Sequence, residues 1–388
     1  MTPPLSLPFR KRRCADRLAA TLAATLFAGA ILAGSFASAA QVDSAAGRTS
    51  WTPTGNLLHA RYVFQANRLL DGRVLVEGGS NLVDALASSE IFDPVTKTWS
   101  ATGNLITARF SHTATLLTDG RVLVAGGADS NIRALASAEI YDPATGAWTA
   151  TGDMNATRYV HVATILPDGR VLVVGGTNGV SGLGSAEIFD PATGTWTSTA
   201  GVGRKAESAT LTLLQNGKVL LAGGLMQHTP SANAQLYDPA TGTWQATGSL
   251  HFARYSATAT LLDNGQVLIA GGTAGATTLA SAELYDPATG AWVVTGSLRN
   301  FRYNHTATRL LDGSVVVAGG SGDGGSLKST EIYNPATGQW RTDGSLNAPV
   351  SSHVATLLQD GEVLAVGGYD KRGISRAVVT KVSQLGPP

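Results

Sequence analysis

Cysteine is almost absent: Cys14 is the single one in 388 residues. Five basic side chains, Arg10, Lys11, Arg12, Arg13 and Arg17, precede an Ala/Leu-rich run from Leu18 to Leu32, and small residues follow at Ala37-Ser38-Ala39-Ala40. That order reads as a signal peptide over residues 1–40, with the mature chain starting at Ala40 or Gln41 and a secreted or periplasmic location. A retained transmembrane anchor is the rival reading, against which the run is short and rich in alanine. Cys14 lies ahead of the run, where a lipid-modification signal would not place it, and the mature chain then has no thiol. Disulfides, Cys-ligated zinc and a cysteine nucleophile are excluded, although an exported protein would meet an oxidising compartment. The Arg12-Arg13 pair hints at twin-arginine export while Cys14-Ala15-Asp16 fits that signal poorly, so the route stays open.

Charge is scarce too, at 14% of residues. Without residues 1–40 the chain keeps 23 basic and 26 acidic side chains, so the formal charge of +1 becomes −3. There is no basic excess to draw nucleic acid or an anionic membrane. No G-x-S-x-G elbow, H-E-x-x-H pair or G-x-x-x-x-G-K loop occurs, which leaves serine hydrolysis, the common zinc-hydrolase pattern and phosphate-loop chemistry without a motif. No resident cofactor or metal is expected.

What is present is a clock. Trp51, Trp99, Trp148, Trp196, Trp244, Trp292 and Trp340 recur every 48 residues, once 49, and diglycines from Gly78-Gly79 to Gly367-Gly368 keep step. A period of that size marks a β-propeller, in which each repeat is a small sheet that buries its faces only against its neighbours. In the second repeat, strand a is expected over about Ser111–Leu117 and strand b over about Arg121–Ala125, joined by Asp119-Gly120 as a two-residue hairpin turn with positive φ. Strand c, near Ala138–Tyr141, ends at Asp142-Pro143, and the PATG turn leads into strand d with Trp148. Strand b is nearly all Val, Leu and Ala, as a strand covered on both faces should be. The diglycine after it is expected to let neighbouring backbones or rings approach. The last repeat has strands a, b and a strand c near Ala377–Val382 but no tryptophan, so Thr49-Ser50-Trp51-Thr52 is expected to supply its fourth strand and close the ring. The sequence thus predicts an all-β, seven-bladed β-propeller of four antiparallel strands per blade, a single domain over residues 41–388, monomeric.

These residues resemble the kelch repeat family, whose pattern has an R-x-x-H-like start, a diglycine after strand b, a Tyr/Phe-Asp step and a spaced Trp. The resemblance covers essentially everything after residue 48. It implies a kelch-type propeller, a fold used by protein-binding modules, secreted carbohydrate-active proteins and a few oxidases, so fold alone does not give function. The copper-radical oxidases of that kind use a tyrosine crosslinked to cysteine, which a mature chain without cysteine cannot form.

Residues common to all repeats read as scaffold, and function is sought where repeats differ. Seventeen residues before each diglycine stand Arg61, Arg109, Arg158, Ala206, Arg254, Arg302 and Val350; on strand c the matching column reads Glu90, Glu139, Glu187, Gln235, Glu283, Glu331 and Val379. Arginine and glutamate are lost together, which points to an ion pair inside five blades. His112, His161, His305 and His353 share a column with Phe64, Ala209 and Ala257, the pattern of a packed slot; convergence on a channel metal is the alternative. The a–b and c–d turns repeat monotonously, whereas the b–c and d–a loops vary and carry Asp129, Arg133, Lys371 and Arg372. Blade four departs furthest, with Arg204, Lys205 and Glu207 at its start and Gln227-His228 in its loop. Ligand contacts are therefore expected from Arg204, Lys205, Gln227, His228, Asp129, Arg133, Lys371 and Arg372, on a face suited to variable binding. The function expected is a non-catalytic binding propeller for a glycan, a peptide or another extracytoplasmic protein. The alternative is a carbohydrate-active enzyme, an epimerase or a polysaccharide lyase, with its site at the channel.

Overall fold

The computed structural model describes residues 51–370 together with the strands Gly373–Ile374 and Val378–Thr380. The expected signal peptide over residues 1–40, Thr49-Ser50, Lys371 and Arg372 lie outside the described residues. Every described element is a strand. In blade two the strands are Thr113–Leu116, Val122–Ala125, Ala138–Asp142 and Ala147–Ala150, paired antiparallel in sequence order.

Six sheets have this four-stranded form. The last has three strands, Val354–Leu357, Val363–Val366 and Val378–Thr380. The described residues therefore hold six complete blades, not the seven expected, and the segment after Trp51 forms no strand. The last repeat lacks the Tyr/Phe-Asp/Asn-Pro ending that leads from strand c into strand d in the other repeats. Trp51 is nonetheless buried in a cluster with Leu310, Val316, Val363 and Ala365. Its Nε1 reaches Thr330 Oγ1 at 3.4 Å, as Trp148 Nε1 reaches Ser89 Oγ at 3.2 Å one blade back.

The a–b turn also differs from expectation. Leu117 N–H donates to Arg121 O and Gly120 N–H to Leu117 O, so three residues make the loop. Only Gly120 has positive φ (87°). A type I turn followed by one left-handed glycine needs no second left-handed residue. Asp119 keeps ordinary φ, and its Oδ1 accepts Arg121 N–H at 3.0 Å.

Seven residues at one repeat position, Val63, Ser111, Val160, Ser208, Ser256, Asn304 and Ser352, have φ between 48° and 52°. Each donates its N–H to the carbonyl of its counterpart one sheet back, and Val63 donates to Ser352 O at 3.3 Å. The result is a closed collar of backbone hydrogen bonds around the axis. Valine at left-handed φ is a genuine outlier, and the collar over-determines it. At the rim, Lys97 replaces the glycine of the PATG turn and its Nζ lies 2.5 Å from Glu362 Oε2, tying the first blade to the last sheet.

Candidate functional site

The arginine and glutamate columns meet inside each of the five blades that have them. Arg109 Nη2 lies 2.6 Å from Glu139 Oε1, and the other four contacts are 2.6–2.8 Å. All five arginines are fully buried. Arg109 Nη1 also donates to Gly126 O and Ser137 O, while Glu139 accepts the N–H groups of Ile106 and Thr107. Each pair therefore joins the end of strand b, the start of strand c and the incoming d–a loop. Burial pushes the Arg109 pKa down, against the glutamate beside it, and the Arg109 Nε, Nη1 and Nη2 all donate within the blade.

The histidines are inter-blade contacts. His161 Nε2 bonds Thr113 Oγ1, His305 bonds Thr258 and His353 bonds Thr306, at 2.9–3.0 Å. Burial, followed by the nearby arginine, pushes His161 down to about 3 and His353 to about 4, so both are neutral. Among the described residues no group of three or more His, Cys, Asp and Glu converges. The axial cavity, about 360 Å³, is walled by the collar serines, Asn304, Val63, Val160, Gln65 and the histidine positions.

Blade four breaks the scaffold at several columns at once. Ala206 and Gln235 stand where the ion pair would be, and Gln235 Oε1 is buried without a partner. Arg204, Lys205, Met226, Ser231 and Asn233 surround this place in a narrow cleft. Arg204 and Lys205 are half-buried, with no acidic partner within ion-pair distance among the described residues. Leu225–Met226 and Thr229–Pro230 form a two-stranded ribbon whose turn, Gln227-His228, has positive φ at both residues (51° and 66°) without a glycine. Two strained residues at an exposed turn are the type of feature that clusters at ligand clamps.

Glu207 completes the group. In its column the other repeats carry Tyr62, Phe110, Tyr159, Tyr255, Tyr303 and Ser351. Burial raises the Glu207 pKa, with His228 and Lys205 opposing, and its charge in turn acts on Tyr159. The structure thus brings Arg204, Lys205, Glu207 and His228 together at one blade. Asp129 is engaged locally, its Oδ1 accepting Asn131 and Arg133 N–H, and Arg133 is exposed on blade two.

Glu77, absent from the expected sites, is the sharpest irregularity. It ends strand b of blade one, where the other repeats have Ala125, Val174, Ala222, Ala270, Ala318 and Val366. It is fully buried, and neither carboxyl oxygen has a hydrogen-bond partner. Reading the column before the diglycine would have found it. Burial raises its pKa well above 4.5, with Arg61 opposing. A raised folded pKa gives stability that is present below 4.5 and is lost as pH rises through the folded value. Glu77→Gln should accordingly gain on wild type as pH rises above 4.5, by about 1.4 kcal/mol per pH unit until the folded-state pKa is passed. Urea unfolding at several pH values measures the difference; a difference independent of pH would contradict it.

The KLHDC2/KLHL20/DRC7 kelch-repeats domain matches residues 64–272, more than half of the chain, and the kelch motif matches residues 254–299 and 302–347. The chain belongs to the kelch repeat family. No curated protein matches it. Among solved structures, this kelch propeller is similar to a fungal alcohol oxidase of the AA5 family in complex with copper. The identity is 20% and the TM-score 0.73, over 86% of this chain and 76% of the oxidase. At that identity the likeness is one of fold. No helix among the described residues of this kelch chain is long and apolar enough to cross a membrane.

Proposed function

We propose that this kelch propeller is an exported, non-catalytic binding module whose loop face holds a glycan, a peptide or another envelope protein at blade four. The observation that carries the reading is the pair of half-buried cations, Arg204 and Lys205, which among the described residues make no ion pair at contact distance and lie beside the unsatisfied Gln235 Oε1. Interior rules are broken here together, and sites that break such rules are where function is sought. Export rests on the N-terminal sequence. The Trp51 segment takes the outer place of the last sheet in this reading: Gly55 N–H donates to Lys97 O as Gly103 N–H donates to Gly146 O.

The enzyme alternative has less support. The axial cavity is walled by hydroxyls, two amides and apolar groups, and its histidines are neutral members of the scaffold. Kelch-repeat domains generally work as binding modules, which agrees with the proposal.

The test is a screen of the purified protein against glycans and envelope peptides, with product analysis of every hit. Replacing Lys205 and His228 together by alanine should weaken the identified interaction at least about tenfold, or 1.4 kcal/mol. Unchanged affinity would remove blade four from the site, and turnover of a bound sugar would favour the enzyme.

A further inference from the structure

We propose that Glu77 and His112 form a site for a divalent transition-metal ion of the Zn2+ class at the junction of blades one and two, reached from the axial cavity. Glu77 Oε1 and His112 Nε2 are 3.7 Å apart, and both side chains are fully buried. That separation is too long for a hydrogen bond. Two donors on one ion, each about 2.0–2.1 Å from it, would stand about 3.3–3.4 Å apart in tetrahedral geometry, so the pair needs to close by only a few tenths of an ångström.

All four polar atoms of the pair lack hydrogen-bond partners, whereas buried polar side chains ordinarily have them. The reason lies in the neighbouring strand. His161, His305 and His353 each meet a threonine of the preceding blade, but His112 faces Gln65, whose Nε2 donates to the His112 carbonyl and leaves the ring unpartnered. Gln65 stands directly across from Glu77 and shares its face of the sheet, so a third polar side chain borders the site. Gln65 and His112 both belong to the wall of the axial cavity, the side from which an ion would have to enter, although the two donor side chains are themselves fully buried.

Charge favours a cation. The surrounding titratable groups are Arg61, Arg109 and His161. Arg61 is paired with Glu90, Arg109 with Glu139, and the His161 ring with Thr113. An ionised Glu77 would share Arg61 with Glu90, with no cation of its own in contact, and a bound dication would offset it. Binding releases the carboxyl proton to solvent and leaves the imidazole neutral, the state in which it ligates. One carboxylate and one imidazole suit Zn2+, Co2+ or Ni2+ better than Ca2+. This departs from the expectation of no resident metal, because the two donors come from different repeats and have no local spacing.

The test uses the purified protein freed of metal by chelation, titrated with Zn2+, Co2+ and Ca2+ and followed by calorimetry, thermal melting and visible absorption. Saturable Zn2+ binding with a raised Tm is expected, together with visible cobalt bands and little response to Ca2+. Glu77→Ala and His112→Phe introduce residues that other repeats carry at these positions, so both should fold, and both should lose the Tm rise and the cobalt bands. Absence of saturable Zn2+ binding, an equal response to Ca2+, or a Zn2+ response retained in either variant would overturn the proposal.

Discussion

Glu139→Ala should lower the stability of the protein by about 3–5 kcal/mol, the usual cost of stranding one member of a buried ion pair. Arg109 would remain fully buried with its charge uncompensated, since its other partners, Thr107 O, Gly126 O, Ser137 O and Ser137 Oγ, are neutral. Two amides, those of Ile106 and Thr107, would also lose their acceptor, so the d–a loop loosens along with the sheet. A fall in Tm on the order of 10 °C follows for a domain of this size. Blade four supplies the control, because Ala206 and Gln235 fill the same two places there. The double variant Arg109→Ala, Glu139→Gln removes the stranded charge and should be less destabilised than the two single changes added together. A melt unchanged by Glu139→Ala, or strict additivity, would contradict this account.

Gly126→Ala should be comparably damaging, for a steric reason. A Cβ there would sit 2.5 Å from Arg158 O and 2.8 Å from His161 Cε1, on a backbone with φ of 62°. The carbonyl belongs to the next blade and accepts Gly127 N–H at 2.8 Å, so it cannot withdraw without breaking the inter-blade bond. Left-handed strain of about 1–2 kcal/mol adds to an overpacking cost of about 1–3 kcal/mol. Gly203 separates the two terms: its φ is 68°, and an added Cβ meets nothing within 4 Å. Gly203→Ala should show the strain alone, and equal losses at the two positions would refute the contact argument.

Much of the fold was legible in the sequence because its constraints are local and repeated. Tryptophan and diglycine spacing gave the repeat, the apolar strand b gave burial on both faces, and the joint loss of Arg and Glu at Ala206/Gln235 pointed to a contact that geometry bears out at 2.6–2.8 Å. The two-residue turn was misread at Asp119, since an Asp-Gly pair serves both a two-residue turn and a three-residue turn with one left-handed glycine. The fourth strand at Trp51 was also misread. The tryptophan packs as its repeat position demands, but packing one side chain does not supply backbone pairing.

By itself the sequence determined the repeat, the propeller class and the columns in which scaffold residues sit. Each of these follows from composition or from periods within one repeat. Only the tertiary structure decided what crosses between repeats: the axial collar, the threonine partners of three histidines, the isolation of Glu77 beside His112, and the gathering of Arg204, Lys205, Glu207 and His228. Several of these contacts join residues about 48 positions apart, where only ring closure fixes separation and direction. Side-chain burial and hydrogen-bond partners are set by that closure, so a carboxylate such as Glu77 looks ordinary in the chain and becomes exceptional only in the ring.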